Sequence, residues 1–455
     1  MSILPERIRT LIHSKLKFFD NESFKRNLLN ALPFWTGAFI TGGIAVLYAE
    51  LFALGEEGTK FLFSKSPSLF FIITPLCFIL AWWLAKRFSP YSRGSGIPQV
   101  SAAIELANPK HKYKVGSLLS IRIIVVKIIS SIIMVFGGGV IGREGPTIQI
   151  SASIFKKIND YLPSWYPSIS KRNMIVTGAA AGLAAAFNTP LGGIVFAIEE
   201  LTKTHFSFFK SALLTGVIIA GLTALTLFGP YLYLGYPDLE DTSAWLILFI
   251  LPLALISGIA GSGMGKIILF LFKLKHKLKN NFQNIVYVAL CGLLIAGMAI
   301  CIDVKAFGSG KEIMVNTLFS EQKHLEWYTP LLRIFGSIIS FSTGASGGIF
   351  APSLSAGASL GAVFAGLFHL SNTETNLLIL CGMTGFLTGI TRSPFTSSII
   401  VLEMTNSHNV IFHIMFAALF ANLVSTLVTK HSFYDYLKIQ YLNEIHTLQD
   451  KAAVR

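Results

Sequence analysis

The chain has 455 residues, 53% of them hydrophobic and 13% charged, with a mean hydropathy of +0.62; a soluble domain carries about 25% charge, so a water-soluble globule is excluded. Lys and Arg number 37 against 23 Asp and Glu, a net charge of +14, yet no basic block is interleaved with aromatic residues, so a nucleic-acid surface is excluded too. Apolar stretches of about 20 residues, enough to span a bilayer, recur from Ala31 almost to Lys430 without an intervening polar domain. The pattern predicts one all-α polytopic membrane protein.

Residues 1–30 carry Arg7, Arg9, Lys15, Lys17, Lys25 and Arg26 but lack the apolar core of a cleavable secretory signal. This segment is expected to stay in the cytoplasm. An acidic link is expected around Glu56 and Glu57, on the opposite side. Basic links follow at Lys86 and Arg87, at Lys110, Lys112 and Lys114, at Lys156 and Lys157, and at Lys171 and Arg172, all expected to face the cytoplasm. The stretch Tyr231 to Thr242 is acidic and assigned outside; Lys273, Lys275, Lys277 and Lys279 return the chain to the cytoplasmic side. The expected layout is a cytoplasmic segment over 1–30, a first membrane repeat over 31–229, an extracytoplasmic link over 230–242, a second repeat over 243–440 and a short cytoplasmic tail over 441–455.

Three Gly-rich sequences interrupt the apolar runs: Gly94 to Pro98 (GSGIP), Gly142 to Pro146 (GREGP) and Gly347 to Pro352 (GGIFAP). Glycine permits a sharp turn and proline suits a first helical position, so each reads as a loop delivering a helix start. Amides freed there must find partners within a bilayer, and the positive end of a helix favours an anion. A single motif could serve helix packing alone. Three together point to an anion site.

Glu144 lies inside GREGP at a depth where a carboxylate is costly unless it is paired or hydrogen-bonded. It is expected to compete with an anion for the same amides when ionised and to leave when protonated. Lys127, inside the apolar run 121–135, is expected to supply a positive field or a carboxylate partner. Glu199 and Glu200 follow the run 191–198, where an interfacial salt bridge is the alternative to a functional role. Cys77, Cys291, Cys301 and Cys381 all fall in apolar runs without CxxC spacing, so they are expected to be buried thiols, with no metal and no disulfide.

The chain also repeats. Gly178, Pro190 and Glu199 are matched 204 positions later by Gly382, Pro394 and Glu403. The sequence Gly94-Ser95-Gly96 is matched by Gly308-Ser309-Gly310, and Gly142 to Pro146 by Gly348 to Pro352. Internal duplication is a mark of transporter folds, whose substrate site forms between the halves.

With these motifs in order, the chain resembles the CLC family of chloride channels and proton/chloride antiporters from about residue 30 to residue 440. The resemblance implies the CLC fold, two inverted-topology halves of many tilted and broken helices, and a homodimer in which each subunit has its own anion pathway. It implies that the Ser95 hydroxyl, a tyrosine at Tyr434 (with Tyr436 close by) and the amides of Ile349 and Phe350 hold a central chloride. Amides of Arg143, Glu144 and Gly145 would line an outer position. Glu144 matches the family's gating glutamate, and Glu200 the internal proton-transfer glutamate that many exchangers carry and channels commonly lack. Ser95 fits chloride preference, since the nitrate-selective branch tends to carry proline there. Gln99 and Ser101 depart from some bacterial exchangers, which carry acidic residues at these positions. Only 21 residues follow Tyr434, too few for the paired nucleotide-sensing modules of many members. The expected activity is therefore proton-coupled chloride exchange in a plasma membrane, with both termini cytoplasmic. The chain is expected not to be an enzyme, and its partners are chloride, protons, the lipid bilayer and a second copy, with no cofactor.

Two rivals remain: a passive chloride channel of the same fold, and an intramembrane serine protease built on Gly344-Ala345-Ser346-Gly347 and His413. The protease would need Ser346 and His413 within hydrogen-bond reach.

Overall fold

The apolar runs, punctuated by glycine and proline, fold into helices. The computed structural model describes residues 22–453 apart from 109–110, 112, 203–209, 230–231, 240–243, 322 and 324. Arg7, Arg9, Lys15, Lys17, Lys110, Lys112, Glu240 and Asp241 lie outside the described residues. The first half comprises α1 (Glu22–Lys65), α2 (Phe70–Phe88), α3 (Ile97–Leu106), α4 (Val115–Leu118), α5 (Ile121–Phe136), α6 (Glu144–Tyr161), α7 (Lys171–Phe187), α8 (Pro190–Phe196) and α9 (Lys210–Phe228). The second comprises α10 (Ile247–His276), α11 (Asn281–Cys301), α12 (Lys311–Phe319), α13 (Thr329–Ser342), α14 (Phe350–Leu367), α15 (Asn372–Thr391), α16 (Pro394–Thr405), α17 (Ile411–Val428) and α18 (Phe433–Ala453). Eight helical stretches among the described residues are long and apolar enough to cross a membrane.

The acidic link expected at Glu56 and Glu57 is not a link. Both residues lie inside α1, a continuous helix of 44 residues. At 1.5 Å per residue α1 is about 66 Å long, roughly twice the hydrocarbon thickness, so it must tilt or protrude. The Glu56 carboxylate is satisfied from the other half, accepting the Ser309 amide at 2.7 Å. Both α1 and α18 continue without a break through residues 30 and 440.

Duplication is visible in the packing. α6 lies against α7 and α14 against α15, and these inner helices are buried over most of their length. The two GSG turns share a backbone: φ is +63° and +106° at Gly94 and Gly96, and +69° and +87° at Gly308 and Gly310, the left-handed region that favours glycine. The halves also terminate one another. Glu199 accepts the amides of Phe395 (3.2 Å) and Thr396 (2.7 Å) at the start of α16. Glu403 accepts the amides of Leu191 (3.0 Å) and Gly192 (2.7 Å) at the start of α8. Glu199 therefore caps the start of α16.

Cys291 and Cys381 are buried and Cys77 is half-buried, whereas Cys301, the last residue of α11, is exposed, contrary to the burial expected of all four. An apolar run fixes a helix but not which of its faces turns inward.

Candidate functional site

Three turns meet. The Gly94 amide donates to the Ala345 carbonyl at 2.8 Å and the Gly347 amide to the Gly94 carbonyl at 3.2 Å, which joins GSGIP to GGIFAP. Gly142 and Gly348 exchange amide bonds of 2.8 and 2.7 Å, which joins GREGP to the same loop. GSGIP and GREGP touch directly, because a Cβ on Gly145 would collide with Ser95 Oγ. Pro98 is the second residue of α3, while Pro146 and Pro352 are the third residues of α6 and α14, so the prolines occupy the first turn and not the first position. The function of proline is unchanged there, since none of the first-turn amides has an intrahelical acceptor. The first helical bonds are made by Thr147 to Arg143 (2.9 Å) and Ser353 to Ile349 (3.0 Å). The amides of Glu144, Gly145, Phe350 and Ala351 precede them, at two facing positive helix ends.

Ser95 is 2% exposed and Tyr434, near the start of α18, is 1% exposed. The Tyr434 hydroxyl faces the Ser95 side chain, yet neither oxygen has a hydrogen-bond partner of regular geometry. Buried hydroxyls are nearly always bonded, so both oxygens retain capacity to donate to a further acceptor. Tyr436 is 42% exposed, and its ring lies 5.4 Å from Lys273 Nζ. Of the two tyrosines, only Tyr434 reaches the turns. Ile349 and Phe350 are buried, and the Phe350 ring is 6.1 Å from that of Tyr434 and 6.4 Å from that of Phe187.

Glu144 is buried as the first residue of α6. Its carboxylate lies beside its own amide and that of Ala351, and so between the two helix ends, and Oε1 accepts the Tyr233 hydroxyl at 3.3 Å. Beside it opens a vestibule of about 260 Å³, lined by Glu56, Arg143, Tyr233, Ser309 and Lys311 among others. A second vestibule, of about 430 Å³, ends at Ser95 and is lined by Arg93, Lys275, Phe341, Tyr441 and Glu444 among others. The turns, Ser95, Tyr434 and Glu144 separate the two.

Glu200 belongs to a π-helical segment, Ala197–Thr202, that follows α8. The wide turn sends adjacent carboxylates different ways, Glu199 to the α16 amides and Glu200 inward. Glu200 accepts the Ser393 hydroxyl at 2.8 Å and, with Phe350 and Tyr434, lines a cavity of about 10 Å³, at the lower limit of roughly 10–15 Å³ for one water. Lys127 is fully buried, and its Nζ donates to the Gly94 carbonyl at 2.9 Å, a backbone partner and not the carboxylate that was the alternative. Gln99 donates to the Arg93 carbonyl at 2.7 Å and to the Tyr441 hydroxyl at 3.2 Å, so it ties the GSGIP turn to α18. Ser346, the candidate nucleophile, donates to the Ser92 carbonyl at 2.7 Å, and His413 is not among its partners.

Several contacts had no sequence signal. Tyr233 lies in a link legible only as acidic. Arg93 pairs with Glu444 at 2.6 Å across more than 350 residues of chain. Ser393 could have been found, because it immediately precedes the proline that matches Pro190.

The family model described as voltage gated chloride channel matches residues 76–426. The chain belongs to that family. The H(+)/Cl(-) exchange transporters ClcA of Salmonella paratyphi B and Salmonella newport are each 30% identical over 372 residues, covering 78% of this chain and 76% of the relative. Among solved structures, a slow cyanobacterial Cl⁻/H⁺ antiporter superposes with a TM-score of 0.80 at 22% identity, covering 91% of this chain and 98% of that one. A CLC-type fluoride/proton antiporter follows with a TM-score of 0.75 at 20% identity, again over 91% and 98%. Both establish the CLC fold, and this CLC chain is a multi-pass membrane protein.

Proposed function

We propose that this chain exchanges chloride for protons across a plasma membrane, working as a homodimer with a complete pathway in each subunit. One observation carries the reading: two open hydroxyls and two helix N-termini converge between opposed vestibules, with a buried carboxylate on either side. In this reading Ser95, Tyr434 and the amides of Ile349 and Phe350 replace water around a central chloride. The amides of Arg143, Glu144 and Gly145 form an outer position that the ionised Glu144 carboxylate fills in competition with the anion. Both negative groups want the same donors, so occupancy is exclusive. When Glu144 takes a proton, it gives up the site and the anion passes. Lys127 serves by holding the Gly94 carbonyl and not by touching the anion.

Glu200 would bring protons to this centre from the other vestibule through the narrow cavity beside Tyr434. That vestibule has Lys86, Arg93 and Lys275 on its lining, and the basic links at 86–87 and 273–279 flank it, which favours the cytoplasmic side and cytoplasmic termini. The ClcA relatives, named H(+)/Cl(-) exchange transporters, support transport and not enzymatic turnover. A passive channel of the same fold would need no Glu200. Measurement of the reversal potential of reconstituted protein under opposed proton and chloride gradients decides the matter. An exchanger reverses at a potential set by both gradients; reversal at the chloride equilibrium potential alone rejects exchange.

A further inference from the structure

Tyr233 belongs to neither repeated motif, yet it reaches the gate. Its side chain is 3% exposed, and its hydroxyl donates to Glu144 Oε1 at 3.3 Å. The phenol is held from several directions. Its ring meets the edge of Phe187 at 5.1 Å between centroids, and Lys311 Nζ stands 4.6 Å from the ring centre. The next residue is pinned by its backbone, with the Leu234 amide donating to the Met404 carbonyl at 3.1 Å near the end of α16. Phe187 in turn stacks on Phe350, whose ring neighbours Tyr434. An aromatic wall thus runs from the outer vestibule to the centre, ending at each side in a tyrosine hydroxyl.

A donor fixed in this way favours the ionised form of the carboxylate it meets. We propose that Tyr233 is a positioning residue of the gate: its phenol latches the Glu144 carboxylate in the pathway and thereby sets the pH at which the anion is let through. The inference rests on the reading of Glu144 as the gate, and it gives the segment joining the two halves a role beyond connection. Other charged and titratable groups face the same carboxylate. Arg143 precedes it, Lys311 comes from α12, Glu50 and Glu56 from α1 line the vestibule, and Tyr48 of α1 and Tyr434 of α18 lie within electrostatic reach. All of them persist in Tyr233→Phe, which deletes one hydroxyl and keeps the ring contacts.

The test is chloride flux against pH for the full chain in liposomes, with monodisperse elution as the folding control. Loss of a hydrogen bond to a charged group should raise the pH of half-maximal flux in Tyr233→Phe by about one unit. Flux at pH 7 should rise with it, since the carboxylate is protonated more readily. Replacement of Tyr233 by fluorotyrosine, a stronger donor of nearly the same shape, should move the midpoint the other way. Tyr236→Phe, at a tyrosine 71% exposed on the same segment, should change nothing. Glu144→Gln with Tyr233→Phe should match Glu144→Gln alone. A wild-type pH profile in both Tyr233 variants overturns the inference, as does an equal effect of Tyr233→Phe in the Glu144→Gln background. If Glu144→Gln itself keeps the wild-type profile, the gate reading fails first and the latch with it.

Discussion

The carboxylate of Glu199 holds the first amides of the helix that carries Glu403, and the carboxylate of Glu403 holds the first amides of the helix that leads to Glu199. Each half of the duplication therefore supplies the missing acceptors of the other. Loss of the side chain that caps N-terminal amides costs about 0.5–2 kcal/mol, so Glu199→Ala and Glu403→Ala should each lower the melting temperature in detergent, by similar amounts. An unchanged melting curve in either variant would show that its helix end finds acceptors elsewhere.

Glu200→Gln keeps the shape of the side chain and its hydrogen-bonding capacity towards Ser393 but cannot carry a proton. Proton flux should fall by about a hundredfold, a usual size for loss of a positioned proton carrier, while chloride flux persists. Undiminished proton uptake driven by a chloride gradient would remove Glu200 from the pathway.

Glu144→Gln fixes the proposed gate in its neutral form. In the wild type, flux should rise as pH falls through the titration of the carboxyl, because protonation withdraws the competing charge. In the variant it should be high and level with pH. A retained pH response would assign the sensitivity to another group.

Ser95→Pro exchanges a hydroxyl facing Tyr434 for an apolar ring at the Gly94–Gly96 turn. Chloride, smaller and more strongly hydrated than nitrate, loses more by that exchange. The nitrate-to-chloride flux ratio should rise by about fivefold to tenfold, the equivalent of one hydrogen bond. Identical selectivity would leave Ser95 without a part in ion choice.

Convergence of the three glycine turns was legible because each carries its own cause: a flexible backbone, a first-turn proline and amides with nowhere to go in lipid. Duplication was legible at Pro190 and Pro394 because proline punctuates a helix wherever it falls. The continuity of α1 was not, since Glu56 and Glu57 resemble a polar link until Ser309, some 250 residues on, is known to satisfy Glu56. The same applies to Glu199, whose acceptor role depends on a helix in the other half. Tyr233 escaped for a different reason: a tyrosine in a loop has no periodicity, and only its burial reveals that it faces inward.

Gly347 and Gly348 are consecutive, and they clasp two different turns, one through Gly94 and the other through Gly142. Rocking the halves apart, the usual route to alternating access in duplicated carriers, would break both clasps at once. In the proposed reading, the switch between the two faces would therefore fall to side chains such as Glu144, with these clasps left closed. On the proposed reading, exchange would turn on rotamers and protons more than on moving domains.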